Sequence, residues 1–151
     1  RAKQKTKTNT NVSKRLRMYP PVYIIDKQLT EDLQLGNHHL VKGTLVSISM
    51  QGIHRNPNVW KNPDEFDPDR WSEERLKAEM QEDTLRFAFI PFSVGARDCI
   101  GKIFAQKEGI LLAAVVLKNY NVALPENFKL ETESTATTKP SNLGMDLTLR
   151  A

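Results

Sequence analysis

A single cysteine, Cys99, is present among 151 residues. It has no partner for an internal disulfide, and a zinc site built from several thiolates is excluded with it. No uninterrupted apolar stretch approaches the ~20 residues a membrane span needs, and the run Leu111–Leu117 is far too short. There is no G-x-S-x-G, no Walker loop, no paired-carboxylate motif and no internal repeat. Residues 1–17 contain neither an acid nor an aromatic side chain. Their charge comes from Arg1, Lys3, Lys5, Lys7, Lys14, Arg15 and Arg17, while the rest of the chain holds 15 basic and 18 acidic groups. The net charge of +4 therefore originates entirely at one end. Such an arm suits nucleic acid or an anionic membrane, but with nothing to stack on bases it reads as a solvated tail, and no nucleic-acid partner is expected.

What is present is globular in balance, with 39% apolar and 26% charged residues. The sequence opens on Arg1 without a signal-peptide pattern, and the expectation is a piece cut from a longer chain. Residues 1–13 show no apolar periodicity and are expected to be a basic polar tail, with one structured segment over 14–151. Lys14–Met18 reads as a last helical turn stopped by Tyr19-Pro20-Pro21. Val22–Ile25, Leu33–Leu35 and Thr44–Met50 read as short strands, the last with Val46, Ile48 and Met50 on one face and Lys42-Gly43 turning into it.

Turn signals recur at Asn56-Pro57, Asn62-Pro63-Asp64 and Asp67-Pro68-Asp69, yet Trp60, Phe66 and Trp71 lie among them. Leaving such rings in water forfeits roughly 1.5–3 kcal/mol each, so this is an ordered, packed meander. Ser72 caps a polar helix to about Gln81, with Glu73 and Glu74 in its first turn. Phe87–Phe92 reads as extended. Ile100–Leu117 is the strongest helical signal, and within it Ile110–Leu117 is apolar all round, which predicts burial in a larger body. Phe128–Leu130 and Met145–Leu149 read as late strands, with a turn over Pro140–Gly144.

The segment Phe92-Ser93-Val94-Gly95-Ala96-Arg97-Asp98-Cys99-Ile100-Gly101 fits F-x-x-G-x-R-x-C-x-G, five specified positions in ten. It leads into a helix start, where partial positive charge and unpaired N–H groups favour a thiolate over a thiol. A thiolate can ligate haem iron and push electron density towards it. Gly95 permits a backbone bend closed to other residues. Gly101 leaves room for a flat macrocycle, Arg97 suits a haem propionate, and Phe92 can shield the sulfur. Singly, each of these residues has a blander reading; together and in register before an apolar helix, they point to a haem-thiolate site.

This segment resembles the haem-binding signature of the cytochrome P450 superfamily. The resemblance extends from Arg17 to about Leu149. Leu16-Arg17-Met18-Tyr19-Pro20-Pro21 resembles the end of the family's K helix, and Phe66-Asp67-Pro68-Asp69-Arg70-Trp71 its F-x-P-x-R-[WF] meander motif. Ile100–Leu117 resembles its L helix, and Thr138-Lys139-Pro140 its final β-hairpin. The resemblance implies a mainly α fold with small β-sheets, here the C-terminal and incomplete part of the P450 fold. It implies haem b held by Cys99 as axial iron ligand, with Phe92, Gly95, Arg97, Ile100 and Gly101 around it. Val22, Ile24 and Leu143 would border the substrate cavity, and Arg17 and Arg70 would join a glutamate in a structural cluster. The implied parent is a monooxygenase of small apolar substrates. It takes O2, and electrons from a reductase with NADPH acting only through that reductase. A microsomal parent would sit on the cytosolic face of the endoplasmic reticulum, through an N-terminal anchor not contained here.

One departure is physical. The glutamate of that cluster falls three residues before Arg17, where this chain has Lys14. An ammonium beside two guanidinium groups repels them, and losing one partner of a buried network costs about 3–5 kcal/mol. The distal helix with its acid–Thr pair is absent too, so the chain alone is expected not to turn over substrate. A thiolate-haem isomerase or lyase parent and a truncated product without catalysis are the competing readings. Among weaker signals, adjacent His38 and His39 face opposite ways on a strand and build no metal site, whereas His54 suits packing or hydrogen bonding near the haem edge. Asn11-Val12-Ser13 matches a glycosylation sequon. Lys102, Lys107 and Arg86 offer a basic face to an acidic electron donor or are merely solvated.

Overall fold

The computed structural model of the chain describes residues 15–150. The tail over 1–13, Lys14 and the Asn11 sequon lie outside the described residues.

Helical backbone over 15–18 ends where expected, with the Tyr19 N–H donating to the Arg15 carbonyl at 2.8 Å before the two prolines. Strands β1 (Ile24–Gln28) and β4 (Leu45–Ser49) pair antiparallel, Ile25 opposite Ile48 and Lys27 opposite Val46. Between them β2 (Leu33–Leu35) and β3 (His38–Leu40) form a hairpin. Gly43, at φ 89°, supplies the left-handed bend into β4, as its sequence context suggests. In β4, Val46 and Ile48 are more sheltered than Leu45, Ser47 and Ser49, as the alternation predicts. Met50, however, leaves the strand. Ser49 accepts the Gly52 N–H at 3.0 Å and caps a short helix, α1 (Met50–His54).

The meander follows. Asp67 accepts the Asp69 N–H at 2.9 Å and starts a 3-10 turn, Pro68–Trp71. Helix α2 (Glu73–Glu79) begins after Ser72, whose side chain makes no capping bond, and carries a Lys77–Glu73 ion pair at 2.6 Å. Helix α3 (Glu82–Ala88) corrects the extended reading of Phe87–Phe92: only from Phe89 is the backbone extended. Helix α4 (Lys102–Asn119) runs directly into β5 (Tyr120–Ala123), which pairs with β8 (Asp146–Leu149). Strands β6 (Thr132–Ser134) and β7 (Thr138–Pro140) form the last hairpin, so the late strand expected at Phe128–Leu130 falls a few residues further on. The helices accompany four separate two-stranded sheets.

The core lies in the first two thirds of the chain. Met18, Met50, Trp60, Ala88 and Ile90 are buried, with the polar Arg17, His54 and Arg70 among them. Trp60 packs near Trp71 (centroids 5.9 Å apart), and Trp71 meets Phe89 edge-on at 4.5 Å. Phe66 corrects the packed-meander expectation, since about half of it stays exposed. Helix α4 packs differently. None of its residues is buried within the described chain, and Ile103, Phe104, Leu111 and Leu112 are each more than half exposed. No helix among the described residues is long and apolar enough to cross a membrane.

Trp60 fixes the meander, so Trp60→Ala should lower stability by about 3–5 kcal/mol. Phe66→Ala should change it by no more than about 0.5 kcal/mol. Urea unfolding of the two variants beside the parent chain checks the contrast.

Candidate functional site

The loop 92–101 is closed by its own backbone. The Ser93 N–H donates to the Ile90 carbonyl at 3.0 Å, the Asp98 N–H to the Gly95 carbonyl at 3.1 Å, and the Cys99 N–H to the Phe92 carbonyl at 2.9 Å. Two residues take left-handed backbone, Ser93 at φ 64° and Gly95 at φ 94°. A side chain at Gly95 would be strained whatever the space around it. The Lys102 N–H donates to the Cys99 carbonyl at 3.2 Å, and Gly101 forms the N-cap of α4. Cys99 is thus held just ahead of the first helical turn, exposed at the surface. A Cβ added at Gly101 would lie 3.8 Å from the Cys99 sulfur.

The loop and the start of α4 carry exposed apolar side chains beside the charged, exposed Arg97 and Asp98. Ile100 is fully exposed and Phe104 71% exposed, and Val94 is also exposed. Phe92 is half-buried and Arg97 exposed. A soft sulfur donor beside a glycine, flanked by exposed apolar side chains, fits a flat, apolar, iron-bearing group laid against the start of α4. Val22, Ile24 and Leu143 are exposed elsewhere, at 38%, 39% and 52%. The neighbouring Pro21 and Thr138 are tied by a backbone hydrogen bond of 2.6 Å, which brings the β1 and β7 ends together.

The loop is anchored to the core through His54. That ring is fully buried, and its Nε2 accepts the Ile90 N–H at 3.0 Å. Its own carbonyl accepts Arg17 Nη1 at 2.9 Å. Burial, with the nearby Arg17 charge adding to it, pushes the His54 pKa down to about 4. Arg17 also donates to the Glu65 carbonyl at 3.2 Å, and Arg70 to the Asn62 carbonyl at 3.0 Å. Both guanidinium groups lie near the Trp60 ring, 5.4 and 6.0 Å from its centroid. Burial and then repulsion from Arg70 and Arg55 lower the Arg17 pKa to about 10, which leaves it cationic at neutral pH. The sequence suggests packing or hydrogen bonding for His54 but not its partner. Its bond to Ile90 spans 36 positions, and no local pattern signals it.

The other candidates stay apart. His38 and His39 sit on β3, where His39 Nε2 lies 3.5 Å from Asp32 on the surface. No group of three or more potential metal-binding His, Cys, Asp or Glu side chains occurs among the described residues. Lys102, Lys107 and Arg86 are exposed, and Arg86 lies over Phe87 at 5.3 Å.

Comparison with known proteins agrees with this geometry. The structure superposes on the heme domain of a cytochrome P450DA mutant with a TM-score of 0.85 and 27% identity, covering 95% of this chain and 31% of that one. A retinoic acid bound cyanobacterial CYP120A1 gives 0.84 and 29%, covering 96% of this chain and 33% of that one. The fold and loop are therefore those of a heme-domain segment. The cytochrome P450 family model matches residues 9–145, and the chain belongs to that family. Cytochrome P450 4g15 of Drosophila melanogaster is 40% identical over 123 residues, which is 78% of this chain and 21% of the relative. Leukotriene-B4 omega-hydroxylase 3 of Mus musculus is 38% identical over 117 residues, 77% of this chain and 21% of the relative. Taurochenodeoxycholic 6 alpha-hydroxylase of Sus scrofa is 33% identical over 144 residues, 95% of this chain and 27% of the relative. The chain thus spans between about a fifth and a third of the lengths it matches.

The depressed His54 pKa has a consequence for stability. The folded ring stays neutral down to about pH 4 while the unfolded one takes a proton near 6.5. The unfolded state then binds more protons between these values, so stability should fall as pH drops from 6.5 to 4, by roughly 3 kcal/mol at most. Urea midpoints across that range should show the slope, and His54→Gln should flatten it.

Proposed function

We propose that this chain is the cysteine-bearing, proximal segment of a haem-thiolate monooxygenase. The observation that carries the reading is the closed loop 92–101, which presents the Cys99 sulfur bare beside Gly101 at the foot of α4. Haem bound there would supply a redox-active iron able to activate O2. The chain's own residues do the rest. Cys99 would be the axial ligand, held just ahead of the first turn of α4. Arg97, charged and exposed, would pair with a propionate. Gly95 and Gly101 would give the bend and the clearance, while Phe92 and Ile100 would pack against the ring and keep water from the sulfur. Val22, Ile24 and Leu143 would line the approach of a small apolar substrate.

The same reading assigns the parent enzyme a reductase as electron donor, with NADPH entering only through it. Lys102, Lys107 and Arg86 offer that donor a basic face. It also assigns a place on the cytosolic side of the endoplasmic reticulum. Two relatives are named as hydroxylases, which supports insertion of oxygen into a C–H bond as the reaction class. The segment supplies one wall of a pocket, and by itself it should oxidise nothing.

Haem titrated into the chain, reduced and exposed to carbon monoxide, should give the red-shifted Soret band of a thiolate ligand. Cys99→Ser should abolish that shift without preventing loose haem association. An unchanged band in Cys99→Ser would overturn the assignment. With reductase, NADPH and a fatty-acid probe added, product should stay at the level of the Cys99→Ser control.

A further inference from the structure

Arg70 is 2% exposed, and only one of its donor groups is satisfied, by the Asn62 carbonyl. Its Nε and Nη1 are buried with no acceptor. Arg55 Nε and Trp60 Nε1 are buried and unsatisfied as well. Arg17, also 2% exposed, finds two acceptors, both backbone carbonyls and therefore uncharged. Carboxylates stand nearby, but each is engaged elsewhere. Asp64 pairs outward with Arg55 at 3.2 Å. Glu65 accepts from Asn62 Nδ2 at 3.1 Å, and Asp67 pairs with Arg75. Two guanidinium groups thus lie buried over one indole ring with no buried anion among the described residues. A guanidinium does not shed its proton to relieve such a position, and a buried charge without a partner is costly. The residue three positions ahead of Arg17 is Lys14, whose ammonium has no acceptor to offer.

We propose that Arg17 and Arg70 form a binding site for a small carboxylate anion drawn from solution, of the size of formate or acetate. A carboxylate carries one negative charge and two oxygens with about four lone-pair positions. It meets both deficits of the cluster, the missing charge and the missing acceptors on Arg70. Its hydrogen bonds there are charge-assisted on both sides, the strong class. Occupancy ties the helical turn over 15–18 to the 3-10 turn that carries Arg70, so binding stabilises the folded chain. The site is independent of haem, and its test needs none.

Sodium formate is titrated into the full 151-residue chain, with sodium chloride at matched ionic strength and formamide as the uncharged isostere. The Arg70 Nε–H resonance in a proton–nitrogen correlation spectrum should shift and saturate with formate, and the urea midpoint should rise in parallel. Formamide should do neither. In Arg70→Gln one of the two guanidinium groups is lost, and half-saturation by formate, read from the urea midpoint, should move up by about tenfold or more. A non-saturating response, an equal effect of chloride, or an undiminished response in Arg70→Gln each overturns the proposal. The titration of the parent chain stands even should the variant fail to fold.

Discussion

Two arginines buried over a single tryptophan hold the first two thirds of the molecule in register. Arg17 comes from the helical turn over 15–18 and Arg70 from the 3-10 turn 53 residues later, and both reach the Trp60 ring. Each then donates to carbonyls of the irregular meander, His54 and Glu65 for Arg17 and Asn62 for Arg70. A meander has few ladder bonds of its own, so its carbonyls need side-chain donors when they are buried. Arginine suits that task, with five donors on one rigid plane. The cost is electrostatic, since like charges are brought together in a desolvated place and Arg17 registers the strain in its lowered pKa. Outside, Asp67 contributes partial relief. Burial opposes its ionisation, but the Asp69 N–H and Arg75 outweigh that and hold its carboxyl below the usual range.

The molecule is unequal in its packing. Every buried apolar side chain among the described residues comes from residues 18–90, whereas α4 and the final β5–β8 and β6–β7 pairs keep none. Leu111, Leu112, Val115 and Leu117 are each more than half exposed. Burying a side chain of this kind is worth roughly 1.5–3 kcal/mol, so α4 gives up a large stabilisation in this chain. Its helical form rests on propensity and on its junction with β5. An 18-residue helix rich in leucine and alanine can form on that basis, though only marginally.

How far the sequence foretold this varies by feature. The backbone of the Cys99 loop was legible, because Gly95 marks its left-handed bend and Gly101 the helix start. The α4 span was legible for its periodicity, but its burial was not, because an apolar pattern states what a helix needs and not what this chain provides. Helix α1 was hidden: Met50 continues the alternation of β4, and only the Ser49 cap marks the change. Strand β3 showed only as the strand on which His38 and His39 would face opposite ways, since histidine has no strong strand preference. Phe66 was expected to pack because it is aromatic, yet Trp60 and Trp71 take the sheltered places beside it. The early placement of Phe128–Leu130 as a strand follows from apolar content, while the pairing actually forms among Thr132–Ser134 and Thr138–Pro140.

The cysteine's position depends on the arginines through a short covalent and hydrogen-bonded route. Arg17 fixes the His54 carbonyl, and the same histidine's ring fixes the Ile90 N–H, 36 residues away. The Ile90 carbonyl then accepts from Ser93, and the Phe92 carbonyl from Cys99. Ser93 sits in left-handed backbone, a conformation that costs a non-glycine residue about 1–2 kcal/mol. It persists only where neighbouring contacts over-determine it. The contacts available are those two carbonyl bonds on one side and the buried histidine on the other. A loop that must present an exposed sulfur cannot bury itself for rigidity, so it borrows rigidity from the core. The neutral, fully buried His54 is where that loan is made, which explains why a histidine with a pKa near 4 stands in a place that shows no proton chemistry of its own.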